Sequence, residues 1–426
     1  MFKVLIIAYY FPPMGLSGVQ RILKFVKYFP QNNWDPTVLT SGETGYFAHD
    51  PDLLTEIDSS IRIIRVKGNE LNAKLSSLGT IKIPSETTRK IINRINQFFN
   101  IPDNKVSWTK KALIEARKLL TEEQFDLIFV TAPPFSAFRL GATLKKEFKI
   151  PLAIDYRDLW YGNQFSKYFT PYHSYKHKKL EYSVLKEADK VFVTNRRIKE
   201  IQMETYKFLE SNDVMIIPHG YDPDDFAAAP IIKKKNNKMI LTYTGSFYEF
   251  ITPKYLLKAF AKLKKEQPEI TDNIELYFIG AQTKELRKLS VKYGLEDNVK
   301  EFGYLTHIES VARIKSSDVL WLMIGKGKNC DTISSGKLFE YFGSRKPILA
   351  CLPEGALKIY SSQYGAAYLS DPENVSMIKD NLVKIYEDYQ NGNFPTPNEE
   401  FIEKFRRDFL TEQLTKELQF MVKNNL

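Results

Sequence analysis

Short, uninterrupted runs of apolar and β-branched residues alternate with longer amphipathic stretches along almost the whole chain. The runs at 3–8, 36–40, 62–66, 126–131, 152–155, 190–194 and 214–217 predict strands in the first half. Those at 239–243, 275–279, 299–302, 319–323 and 347–350 predict strands in the second. Between them, 19–28, 107–120, 135–148, 172–186, 253–265, 284–293, 308–315 and 335–342 repeat apolar positions with helical spacing. Apolar strands separated by helices belong to parallel sheets covered on both faces. Right-handed crossovers then give doubly wound α/β domains.

The alternation pauses twice. The stretch 222–238 combines an Asp-Pro-Asp-Asp turn, three alanines, Pro230 and a Lys-Lys-Lys-Asn-Asn run, with neither helical nor strand periodicity. It reads as a solvated linker. The expected division is therefore 1–225, 226–405 and a terminal helix over 406–426. The second pause spans 68–105. Within it, 89–99 gathers Ile91, Ile92, Ile95, Phe98 and Phe99 on one helical face and Arg89, Lys90, Arg94 and Gln97 largely elsewhere. That pattern fits either a surface helix packed on its own domain or a basic amphipathic helix lying on an anionic membrane.

Composition narrows the class. The chain has 426 residues, 43% hydrophobic and 26% charged, a globular balance that excludes a disordered chain. Two cysteines, Cys330 and Cys351, exclude a disulfide framework and a four-thiolate zinc site, and are expected as core thiols in a reducing compartment. No apolar run approaches the roughly 20 residues of a membrane span. The first residues imitate a short secretory signal but lack a small-residue cleavage site, so they read as a buried strand. The formal charge of +10 leaves nucleic acid, a membrane surface or a phosphorylated ligand as partners. The 24 Tyr and 29 Phe are spread through strands and helices as core residues would be, which argues against nucleic acid.

In doubly wound sheets, ligands bind beyond the carboxyl ends of the strands. After the first strand, Gly15 and Gly18 open a helix and aim free N–H groups outward; the spacing differs from the dinucleotide Gly-x-Gly-x-x-Gly. After 152–154 come Asp155, Tyr156, Arg157, Asp158, Leu159 and Trp160. A carboxylate–guanidinium set there fits either a hydroxylated substrate or a structural ion pair. His219 follows the 214–217 strand, with no second His or Cys at metal-ligand spacing. Asp222 and Asp224 have the form of a metal-binding Asp-x-Asp, although Asp-Pro normally makes a turn. In the second half, Gly245 and Ser246 follow a strand, and Gly303, Tyr304 and Leu305 follow another. Ser334, Ser335, Gly336, Lys337, Leu338 and Glu340 then open a helix. Cap hydroxyls and exposed N–H groups make an anion site. Lys337 has the wrong sign for a helix N-terminus unless an anion sits there. Glu340 is placed to accept hydrogen bonds from a diol.

Taken in order, these motifs resemble the retaining glycosyltransferases of family 4. The likeness rests on the loop 15–21, on Asp155–Trp160 as an Asp-x-Arg-Asp-x-Trp, on 243–247, 276–280 and 299–303, and on 336–340 with Gly343, Lys346 and Pro347. The resemblance implies a GT-B fold, two Rossmann-like domains facing across a cleft with a C-terminal helix crossing back. It implies sugar transfer from a nucleotide-diphosphate sugar, a donor substrate and not a cofactor, to a hydroxyl of a glycan or lipid-linked acceptor. Neither a metal nor a resident cofactor is expected, nor a nucleic-acid partner. Donor binding would fall to Gly15, Gly18, Gly245, Ser246, Tyr304, Leu305, Gly336, Lys337, Leu338 and Glu340. Asp155, Arg157, Asp158 and His219 would serve the acceptor or the transferred sugar. Retention is described in this family by front-face attack, the leaving phosphate helping to deprotonate the acceptor hydroxyl. A role in cell-surface polysaccharide assembly is expected, in the cytoplasm, with peripheral contact at the inner membrane face through 89–99. The sequence departs from the family at Thr332, where a glutamate is common, and at Ser246, where a basic residue is common. The missing phosphate charge would then come from Lys254, Lys326, Lys328 or Lys337. The alternatives are a nucleotide-sugar epimerase on the same fold and a non-catalytic anion- or nucleic-acid-binding protein.

Overall fold

The structure is a computed structural model that describes residues 1–68, 80, 86–280 and 284–424, with only the backbone of Glu86, Thr87 and Arg89. The chain divides into two compact units, Met1–His219 together with the chain from Arg407 onward, and Gly220–Arg406.

In the first unit, β1 (Phe2–Ala8), β2 (Trp34–Ser41), β3 (Arg62–Val66), β4 (Leu127–Ala132), β5 (Leu152–Tyr156), β6 (Lys190–Val193) and β7 (Val214–Ile216) form one sheet in the order β3-β2-β1-β4-β5-β6-β7. Every pairing is parallel. The order reverses between β1 and β4, and such a switch point opens a crevice at the carboxyl ends of the two strands. One face of the sheet is covered by Val19, Leu23, Trp108, Phe138 and Leu144 from flanking helices. The other is covered in part by the last helix, Arg407–Asn424, whose Leu410, Leu414, Leu418, Met421 and Val422 join Val4, Ile6, Phe25 and Phe129 in one core. The terminal helix thus returns to the first unit because its apolar stripe is buried there.

In the second unit, β8 (Met239–Thr244), β9 (Ile274–Ile279), β10 (Val299–Gly303), β11 (Val319–Met323), β12 (Ile348–Cys351) and β13 (Ala367–Ser370) run β10-β9-β8-β11-β12-β13. All pairings are parallel, and the order reverses between β8 and β11. β13 is absent from the predicted strands: its four residues bury only alternate positions, too short a run to stand out. No described helix is long and apolar enough to cross a membrane. Both cysteines are free and buried, and burial pushes their thiols up, Cys330 to about 11 and Cys351 to about 12.

The stretch 222–238 opens as a short helix, and only its second part, 233–237, is an exposed connection. Asp222 caps the helix Pro223–Ala228, accepting from the N–H of Asp224, so the Asp-x-Asp form is a helix cap. Lys315 Nζ donates to the carbonyls of Phe226 and Ala229 at 2.5 Å. The N–H of Ile232 donates to Ser316 Oγ at 2.7 Å, and Lys234 pairs with Asp318 at 2.5 Å. A six-residue helix is too short to show a helical period; the three lysines that suggested solvation are exposed, Lys234 alone among them meeting Asp318. The chain passes between the units at His219–Gly220 and Arg406–Arg407.

Candidate active site

In the second unit, the helix Gly336–Ser344 begins at the switch point. Tyr341 moors it: the Tyr341 hydroxyl accepts from the N–H of Thr244 at 3.0 Å and donates to the carbonyl of Trp321 at 3.3 Å, joining the helix to the ends of β8 and β11. Tyr341 carries no local signal of this role, because its partners lie 97 and 20 residues away. The N-cap, Ser335, makes no side-chain cap bond, so the first N–H groups of the helix keep no side-chain acceptor there. The hydroxyl of Ser334 is buried with no hydrogen-bond partner among the described residues.

Lys337 lies in the first turn and runs back across the end of β8. Its ammonium sits 5.4 Å from the ring centre of Tyr243, and burial lowers its pKa to about 8, with Glu340 opposing that shift. Among the described residues it has no hydrogen-bonded carboxylate. Of the other three lysines considered for phosphate, Lys326 pairs with Asp371 at 2.7 Å, and Lys254 and Lys328 are exposed. Lys337 is half-buried, and a cation partly withdrawn from water favours a counter-charge, so this group is poised for an anion.

The glycines at the strand ends make room for that side chain. Gly245 has φ +113°, and a Cβ there would stand 2.2 Å from Lys337 Cε. Gly280 has φ +135°, and its Cβ would stand 2.4 Å from the Gly245 carbonyl oxygen. The N–H of Gly245 donates to Ile279 O at 2.6 Å and that of Gly280 to Gly303 O at 2.7 Å, locking the strand ends together. Gly245, Phe247, Phe278, Gly280 and Glu301 line a hollow beside them. Glu301, whose carboxyl burial pushes up, was not singled out in the sequence because it lies mid-strand with no motif around it. Ser246 is half-buried beside Gly245. Glu340 is one turn beyond Lys337 on the same helical face. Tyr304 and Leu305 follow edge strand β10, with Tyr304 38% exposed. Gly336 and Leu338 are at the helix start. Thr332 is buried, its hydroxyl donating to Asn329 O at 2.7 Å.

In the first unit, the strand-end residues form a second cluster. Arg21, inside the helix Ser17–Tyr28, is fully buried. Its Nη2 donates to Asp155 Oδ1 at 2.8 Å, its Nε contacts both carboxylate oxygens at 3.1 Å, and its Nη1 donates to Pro218 O at 2.8 Å. Thr131 Oγ1 donates to Asp155 Oδ2 at 2.8 Å. The carboxylate expected to face a substrate is instead turned inside and shared among β4, β5 and the first helix. Arg157 is also buried: its guanidinium donates to the carbonyls of Ala132, Pro133 and Gly18. It holds the Gly15–Gly18 turn against the end of β4. Neither glycine is in the left-handed region; Leu16, at φ 69°, is the residue that turns the chain there. The N–H of Gly15 donates to Ala48 O at 2.9 Å.

Asp158 and His219 differ from that pair. The Asp158 side chain is half-buried and bonds to no described residue; burial raises its pKa, with Arg157 opposing. Burial drives the His219 pKa well below the usual imidazole value, and Arg21, Arg407 and Arg157 add to the shift, so the ring is neutral near pH 7.

The sequence matches glycosyltransferase family 4 over residues 18–225 and glycosyl transferases group 1 over residues 224–406. No curated protein matches it. Among solved structures, it is similar to sucrose-phosphate synthase from Thermosynechococcus elongatus, at 13% identity and TM-score 0.66 over 100% of both chains. It is similar to UDP-GlcNAc 2-epimerase from Methanocaldococcus jannaschii, at 14% identity and TM-score 0.57 over 99% of this chain and 100% of that one. It is also similar to a variant of S. aureus TarM in complex with fondaparinux, alpha-GlcNAc-glycerol and UDP, at 9% identity and TM-score 0.61 over 99% of this chain and 100% of that one. At these identities the likeness establishes the fold, and the two sequence matches establish the kind of enzyme: the chain belongs to the group 1 glycosyltransferases, family 4 in its first half, on the GT-B fold.

Proposed function

We propose that the chain transfers a sugar, with retention, from a nucleotide-diphosphate sugar to a hydroxyl of a glycan or lipid-linked acceptor in cell-surface polysaccharide assembly. The observation that carries the donor half is the half-buried Lys337 ammonium in the first turn of a helix whose N-cap makes no side-chain bond, with the Ser334 hydroxyl buried and without a hydrogen-bond partner among the described residues. Departure of a nucleoside diphosphate builds negative charge on its phosphates. Lys337, the N–H of Gly336 at the helix start that Leu338 follows, and the helix dipole stabilise that charge where it develops. Glu340 takes the ribose diol, Tyr304 and Leu305 border the base, and Gly245 and Ser246 lie against the phosphates. No step is routed through a metal or a resident cofactor.

In the first unit, Asp155 and Arg157 are positioning residues in this reading, and Gly15 and Gly18 form the turn that Arg157 holds. Asp158 and His219 are left to orient the acceptor: the neutral imidazole can donate or accept, and the half-buried carboxylate can accept from a sugar hydroxyl. The leaving phosphate takes the acceptor proton, so no enzymic nucleophile is needed. The proposed location is cytoplasmic.

A product assay tests the reading. Purified enzyme is given a panel of nucleotide sugars, with and without glycan or lipid-linked acceptors, and products are followed by NMR. The expected result is turnover only with an acceptor, the product keeping the anomeric configuration of the donor. Isomerisation of the nucleotide sugar without an acceptor would mark an epimerase, and an inverted product would overturn the retaining mechanism.

A further inference from the structure

An ordinary surface helix turns its apolar stripe inward. The helix Glu86–Phe99 does the reverse. Ile91, Ile92, Ile95, Phe98 and Phe99 are 43–75% exposed, whereas Asn96, Gln97 and Asn100 are only half-exposed. Polar groups moor it to the unit: Gln97 Nε2 donates to Phe165 O at 3.2 Å, and Gln97 Oε1 accepts from the N–H of Lys167 at 3.0 Å. The buried His173 ring bonds to the Phe98 carbonyl at 3.0 Å. The helix is thus held by its polar side with its apolar side outward.

The apolar face continues onto a neighbouring element. The Phe98 ring lies 5.7 Å from that of Phe169, which is itself exposed, just before the helix Pro171–Leu185. On that helix Tyr172 and Tyr175 are each 60% exposed, and the Lys179 ammonium lies 5.7 Å from the Tyr175 ring centre. The segments 87–102 and 159–180 together carry seven Lys and Arg and no Asp or Glu. Exposed Ile and Phe, bordered by Tyr and by cations without acids, are the make-up of a surface that sits at the headgroup boundary of an anionic bilayer. The same charge opposes pairing with a second copy of itself, since a twofold contact would bring like charges together.

We propose that this face, residues 90–99 with the start of Pro171–Leu185, docks the first unit on an anionic lipid bilayer. Ile91, Ile95 and Phe99 enter the acyl boundary, and Arg94, Lys176 and Lys179 lie at the phosphates. The inference deepens the proposed function by naming where a lipid-linked acceptor is met, and rests on that reading for the acceptor alone.

Co-sedimentation with phosphatidylcholine vesicles, with and without 30% phosphatidylglycerol, tests it on the full chain. The wild type is expected to bind only the anionic vesicles, and less as salt rises. Ile95→Ser with Phe99→Ser should lower the partition coefficient at least tenfold with unchanged melting temperature, and Arg94→Glu should lower it severalfold. Wild type that ignores both vesicles at low salt overturns the proposal. So does a double variant that binds like wild type, or one whose only change by light scattering is loss of a dimer, which would mark a protein interface. The melting-temperature response to nucleoside diphosphates is recorded alongside. If it persists while vesicle binding is absent, the docking surface fails alone; if it is absent while vesicle binding persists, the donor reading fails alone.

Discussion

Lys337→Ala is expected to fold like the wild type and to lose about 10²–10³-fold in kcat, the scale seen when one group that meets developing charge is removed. Its ammonium has no hydrogen-bonded acid among the described residues, so truncation breaks no ion pair there and removes a half-buried charge. Glu340→Ala should weaken nucleoside diphosphate binding by roughly tenfold to a hundredfold, as loss of one charge-assisted bond predicts. Gly245→Ala should act on the same group from the other side, because the new Cβ collides with the Lys337 chain. Calorimetry separates these effects from unfolding. The pH dependence adds a sign. With a pKa of about 8, Lys337 in the free enzyme loses its proton as pH rises through 8, and a bound diphosphate restores it. Binding is therefore expected to weaken above pH 8 and to take up a proton there, seen as a buffer-dependent enthalpy absent in Lys337→Ala. Unchanged binding in both Lys337→Ala and Glu340→Ala would remove the donor site from this corner.

Arg21→Ala is expected to cost about 3–5 kcal/mol of stability, because it leaves the Asp155 carboxylate buried without its cation. Asp155→Ala should cost a similar amount for the converse reason. The double variant Arg21→Met with Asp155→Leu is expected to be more stable than either single change, since an apolar pair carries no desolvation penalty. Denaturant unfolding followed by tryptophan fluorescence checks this: Trp34, Trp108 and Trp160 are all buried in the first unit. A wild-type midpoint in Asp155→Ala would instead return that carboxylate to the substrate side.

The fold was largely legible because parallel strands buried on both faces are written as contiguous apolar runs, as in 4–8 and 319–323. β13 was not, since an edge strand buries only half its positions. Lys337 was legible because a cation at a helix start contradicts the dipole, and that contradiction is local. Asp155 was read ambiguously because its partner is 134 residues away, and a motif does not say whether a charge faces ligand or protein. The amphipathic pattern of 89–99 was equally plain, but which side turns outward depends on Gln97 meeting the 165–167 backbone, a contact that spans about 70 residues.

Hydrogen–deuterium exchange of the wild-type chain, with and without a saturating nucleoside diphosphate, tests the central claim most directly. Slowed exchange is expected at 244–247 and at 334–340, the end of β8 and the start of the Gly336–Ser344 helix. Protection confined to other segments, or no member of a UDP, GDP, ADP and dTDP panel binding at all, would contradict it.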